Sequence, residues 1–81
     1  MRIATVNVNG IRAAARKGMD QWLRSSGADV VLLQEVRAEE PVAASLLPGY
    51  EAVTWPCRVK GRAGVSVAVR RGGPVRLGQV R

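Results

Sequence analysis

Apolar positions along this 81-residue chain fall into short runs that stop at oxygen-bearing side chains. Ile3 to Val8 alternates loosely and is β-branched, which predicts a strand buried on at least one face. Asn9-Gly10 is a turn signal that ends it. Arg12 to Lys17 is short, Ala-rich and basic. From Gly18 to Ser26, Met19, Trp22 and Leu23 stand at i, i+3 and i+4, one apolar face of a helix. Asp20 in the first turn and Arg24 in the last complement its dipole, and Gly27 suits a left-handed cap. Val30 to Leu33 is continuously apolar, as in a strand covered on both faces. Glu39 to Leu47 can make one or two helical turns with Pro41 near the start. Tyr50 to Trp55 and Gly64 to Arg70 read as a third and a fourth strand, joined as a hairpin by the basic loop Arg58 to Gly64. Val75 begins a further strand that runs to Arg81.

Strand, helix, strand over about thirty residues is a βαβ unit, whose crossover is expected to be right-handed. The fold class is therefore α/β (α+β), a mixed sheet with a βαβ unit followed by a β-hairpin. Trp22 and Trp55 are expected in the core. Only one helix is legible to cover the sheet, and the last strand leaves an open edge, which folded proteins usually blunt. Residues 1–81 therefore read as the amino-terminal portion of a single larger domain.

Composition narrows the picture. A chain of this size buries only roughly 60% of its unfolded surface, so a free-standing fold would be marginal. No charge-free apolar run approaches the ~18 residues of a membrane span, and the amino end has no signal-peptide core. A single cysteine, Cys57, permits no internal disulfide and fits a reducing, cytoplasmic compartment. Residues 1–40 carry six basic and five acidic side chains, and residues 41–81 carry seven and one. A second half this basic suits a polyanion such as nucleic acid, or simply a solvated surface.

The candidate chemistry lies where the first two strands end. Neighbouring parallel strands would bring Asn7 and Asn9 to the same sheet edge as Gln34 and Glu35, the edge where α/β proteins bind ligands. A carboxylate among amide oxygens suits Mg²⁺. The bland alternative for Glu35 is an ion pair with Arg37 or Arg12, and for Asn7 a satisfied turn residue. Arg12, Arg16 and Lys17 follow the first strand, while Arg58, Lys60 and Arg62 fill the hairpin loop. Both clusters could flank the edge and grip phosphates, with Gly61 and Gly64 allowing close backbone approach. The sequence has no histidine, which removes Ser-His and Cys-His nucleophiles and imidazole metal sites from these residues. It has no Walker-type or GxGxxG motif either.

Thr5-Val-Asn-Val-Asn-Gly-Ile-Arg12, Lys17-Gly18 with Trp22, Ala28-Asp-Val-Val-Leu-Leu-Gln-Glu-Val-Arg37 and Lys60-Gly-Arg-Ala-Gly-Val65 together resemble the exonuclease III family. That family comprises Mg²⁺-dependent apurinic/apyrimidinic endonucleases of the endonuclease/exonuclease/phosphatase superfamily. The resemblance implies the amino-terminal part of a four-layer αββα sandwich that uses Mg²⁺ or Mn²⁺. Its partner would be double-stranded DNA with abasic sites or blocked 3′ ends, and the complete protein would be a monomer in DNA base excision repair. Glu35 matches the metal-ligand glutamate and Asn7 the asparagine at the metal site. Asn9 and Gln34 would support that site. Arg12, Lys17 and the Gly61–Arg62 loop match positions that approach DNA. The family's tyrosine, its Asp-x-Asn pair, its later aspartates and its general-base histidine would lie beyond residue 81, so no catalytic acid or base is expected within the chain. Two rival readings remain at this point: a non-catalytic nucleic-acid-binding module, and a phosphatase acting on a small phosphoester.

Overall fold

The computed structural model describes residues 1–56 and 64–77. Strands β1 (Ile3–Asn7), β2 (Val30–Gln34), β3 (Tyr50–Pro56) and β4 (Gly64–Arg70) form one mixed sheet in the order β1-β2-β4-β3. β1 and β2 are parallel, with Asn7 opposite Gln34 at their common carboxyl end. β3 and β4 form the expected antiparallel pair, and β4 is the strand that adds to β2.

Among the described residues three helices accompany the sheet: α1 (Ile11–Arg16), α2 (Met19–Ser26) and α3 (Glu40–Ser45). The sequence pattern made only α2 and α3 legible. Residues 11–16 are helical because alanine has the best helix propensity and Ile11, fully buried, anchors the first turn. Gly18 adopts φ +103°, a conformation that costs glycine little, and there the chain breaks between α1 and α2. Gly27, at φ +63°, caps α2 as its position predicted, and Asp20 pairs with Arg24 at 3.2 Å.

One face of the sheet carries the core. Val31, Leu33 and Ala68 pack with Ile11, Met19 and Leu23 from the α1–α2 segment and with Ala43 and Leu47 from around α3. The opposite face differs from expectation. Leu32 is 37% exposed, with Ile3 and Val65 more so, so β2 is covered on one face and not on both. Trp22 and Trp55, expected in the core, are 40% and 39% exposed. Periodicity assigns Trp22 to the apolar side of α2, but Met19 and Leu23 take the buried positions. Val75 to Leu77 form no strand, and the remainder of the expected fifth strand, like Cys57 and the hairpin loop, lies outside the described residues.

Asp29 ties the amino ends of β1 and β2 to the carboxyl end of β4. Its carboxylate accepts from the Arg2 backbone N–H at 2.8 Å and pairs with the Arg70 guanidinium. These contacts, the Arg2 hydrogen bond first, hold its pKa below the ordinary value. The folded state therefore favours the ionised form, so this contribution to stability is complete above the unfolded pKa and is lost as pH falls through the folded one. We expect the thermal midpoint to drop as the pH is lowered from neutral to below the ordinary aspartate range. Asp29→Asn should lower the neutral midpoint and shrink that pH difference; an unchanged pH difference would assign the acid sensitivity to other groups.

Candidate metal centre and nucleic-acid interface

The carboxyl ends of β1 and β2 are stitched together beyond the strands themselves. Val8 N–H donates to Gln34 O at 3.0 Å, Gly10 N–H to Glu35 O at 2.8 Å and Ile11 N–H to Val36 O at 2.9 Å. Val36 N–H donates to Gly64 O at 3.0 Å, which locks the same loop to β4. Within this frame Val36 is fully buried while Glu35 and Arg37, on either side of it, remain partly exposed.

Glu35 and Arg37 both adopt left-handed backbone, at φ +51° and +55°, as does Asn9 at +47°. Asparagine tolerates that region, whereas other non-glycine residues enter it at a cost of about 1–3 kcal/mol each, and such residues cluster at functional sites. Here the conformation buries Val36 and brings the Glu35 and Arg37 side chains into contact.

Asn7 Nδ2 donates to Glu35 Oε2, and Arg37 Nη2 donates to Glu35 Oε1 at 3.1 Å. Asn7 Oδ1 in turn accepts the Asn9 backbone N–H at 3.0 Å, so Asn9 fixes the amide that holds the carboxylate. The Asn7 hydrogen bond, and after it that of Arg37, hold the Glu35 carboxyl below its usual pKa and outweigh its partial desolvation. Of the two ion-pair partners open to Glu35 in the sequence, the structure selects Arg37.

Asn7 and Glu35 meet through their side chains and Asn9 joins them through its backbone N–H, whereas Gln34 does not join them. Its Nε2 donates to Thr5 Oγ1 at 2.9 Å and to Leu32 O at 3.2 Å, bracing β2 to β1 on the exposed sheet face. Lys17, at the end of α1, lines a groove of about 280 Å³ together with Asn7, Gly18, Met19 and Trp22. Arg12 stands elsewhere, in a hollow of about 410 Å³ with Arg16 from α1 and Val42, Ser45 and Leu46 from the α3 segment. Gly61 and Arg62 lie outside the described residues. The sequence pattern missed Trp22 as a groove residue, because its helical spacing matches that of its buried neighbours.

Among the described residues no three carboxylate, cysteine or histidine groups come together. The donor set is one carboxylate with amide support. It fits Mg²⁺, which keeps several waters and commonly takes one or two carboxylates with substrate phosphate oxygens. It would hold that ion weakly without further ligands.

Solved structures of similar fold include the following three. The catalytic domain of APE2 from Xenopus laevis shares 32% identity at a TM-score of 0.67, over 86% of this chain and 23% of that one. An AP endonuclease from Archaeoglobus fulgidus shares 32% at 0.68, over 85% and 27%. A 3′-5′ exonuclease from Neisseria meningitidis shares 29% at 0.59, over 86% and 27%. The chain therefore spans about a quarter of the length of these proteins. Residues 4–73 match the sequence model of the endonuclease/exonuclease/phosphatase family, nearly the whole length of the described fold. The sheet, the helices and the match agree, and the chain belongs to the endonuclease/exonuclease/phosphatase family.

Proposed function

We propose that this chain is part of a Mg²⁺-dependent DNA repair nuclease. The proposed reaction is hydrolysis of the phosphodiester 5′ to an abasic site, together with trimming of 3′ ends in the manner of exodeoxyribonuclease III. The observation that carries this reading is the convergence of Asn7 and Glu35 at the carboxyl ends of two parallel strands, beside a groove lined by Lys17.

Glu35 would hold the metal, Asn7 would orient its carboxylate, and Asn9 would fix Asn7. When bound, the ion would neutralise phosphate charge and polarise the scissile P–O bond. Lys17 and Arg12 would contact the DNA backbone, where they contribute affinity and register without sequence information. The Gly61–Arg62 loop would add further backbone contacts. No residue named here is placed to activate water or to protonate the leaving oxygen. The 81-residue chain by itself is therefore proposed to be inactive.

The test is cleavage of a duplex bearing one abasic site, with and without Mg²⁺. It would compare the protein expressed from its own gene with the 81-residue chain alone. We expect Mg²⁺-dependent nicking by the former and none by the latter. DNA retention that ignores Mg²⁺, without nicking, would leave only a binding module. Preference for a small phosphoester over abasic DNA would identify a phosphatase.

A further inference from the structure

We propose that Arg37 is an internal cation that occupies Glu35 when no metal is bound, and that a divalent ion must displace it to bind. This inference rests on the proposed role of Glu35 as the metal-holding carboxylate.

Both carboxylate oxygens are engaged: Oε2 accepts from Asn7, and Oε1 accepts from Arg37 at 3.1 Å. The two partners are not equivalent. Asn7 is neutral, emerges from a strand and is itself fixed by Asn9. It can keep its hydrogen bond while the carboxylate binds a cation. Arg37 is charged and leaves the same carboxylate within reach of solvent, the pair being 44% and 39% exposed.

An ion coordinated at about 2 Å from a carboxylate oxygen cannot share that oxygen with a guanidinium without close like-charge contact. One of the two cations has to leave. The geometry favours departure of the guanidinium, because only its stem is confined. A β-carbon at Gly10 would lie 3.9 Å from Arg37 Cδ, so the aliphatic part runs beside the Gly10 backbone while the head reaches past it to Glu35. Arg37 is held in left-handed backbone by the same loop that holds Glu35, so the pairing is built into the fold.

The consequence is a carboxylate that is neutralised and oriented before the metal arrives, at the cost of competition for it. A purely supporting arginine makes the opposite prediction, because its removal would loosen Glu35 and weaken metal binding.

Mn²⁺ binding to the purified protein, followed by the electron paramagnetic resonance of the free ion, separates the two. Arg37→Gln should tighten Mn²⁺ binding by about two- to fivefold, the range expected on releasing an exposed ion pair. Arg37→Lys, which keeps the competing charge, should stay near the parent. In the unsubstituted protein, the Arg37 Nε–H resonance should shift as Mg²⁺ saturates the site, a readout that needs no variant to fold. Equal or weaker Mn²⁺ binding by Arg37→Gln, or an unmoved Arg37 resonance at saturation, would overturn the proposal. Glu35→Ala locates the failure if there is one. Lost Mn²⁺ binding in that variant with no gain in Arg37→Gln refutes displacement alone, whereas undiminished binding in Glu35→Ala refutes the metal role of Glu35 itself.

Discussion

Glu35→Ala should reduce Mg²⁺-dependent cleavage of abasic-site DNA by the intact protein at least about 100-fold. Loss of the outer partners of metal ligands already costs about 10–100-fold, and here the charged group proposed as the ligand is itself removed. Glu35 is the carboxylate where β1 and β2 end together, and Asn7 is oriented toward it. Asn7→Ala leaves the charge in place and should cost less than Glu35→Ala. Circular dichroism should show both variants folded, because neither side chain belongs to the buried core cluster. Cleavage by Glu35→Ala within a few-fold of the parent would remove this residue from the metal site.

The second large effect is on stability. Ile11→Ala should lower the unfolding free energy by about 2–5 kcal/mol, the usual loss on truncating a buried aliphatic side chain to alanine. Ile11 is fully buried at the first position of α1 and packs in the same cluster as Val31, Leu33 and Val36. Its N–H also closes the last hydrogen bond between the β1 and β2 loops. In a chain this small a loss of that size is comparable with the whole stability. We expect a much lower urea midpoint or no folded baseline, and an unchanged midpoint would mean that the α1 contact is dispensable. Trp22→Ala removes a larger side chain but one that is 40% exposed, and it should be the milder substitution.

The contrast between these two positions shows where pattern reading works. Local signals with a single physical solution were legible: the Asn9-Gly10 turn, the Gly27 cap, Pro41 at the start of α3 and the β3–β4 pair all stand where their residues predict. Ile11 was not legible as an anchor, because one apolar residue before an Ala-rich stretch has no period to read. Trp22 had a period and was still misplaced, because helical spacing ranks residues by face and cannot say how far across that face the sheet extends. The exposure of Leu32 has a similar cause. A continuous apolar run states that a strand can be buried on both faces, whereas what actually covers it depends on the partners present.

The candidate site divides in the same way. The chain by itself determined which groups end each strand, because side-chain alternation and turn residues are local properties. Asn7, Asn9 and Glu35 could therefore be assigned to one edge once β1 and β2 were taken as parallel neighbours. Only the tertiary structure decided what each group does there. Gln34 shares a sheet face with Thr5 and donates to its hydroxyl, whereas Glu35, past the strand end and in left-handed backbone, meets Asn7. Arg37, two residues from Glu35, meets its carboxylate only because left-handed backbone at both positions folds the loop around a buried Val36. That conformation is disfavoured for the isolated segment and is sustained by hydrogen bonds to Gly10, Ile11 and Gly64, the last of them twenty-eight residues beyond Val36. Long-range bonds of this kind leave no periodic trace in the chain.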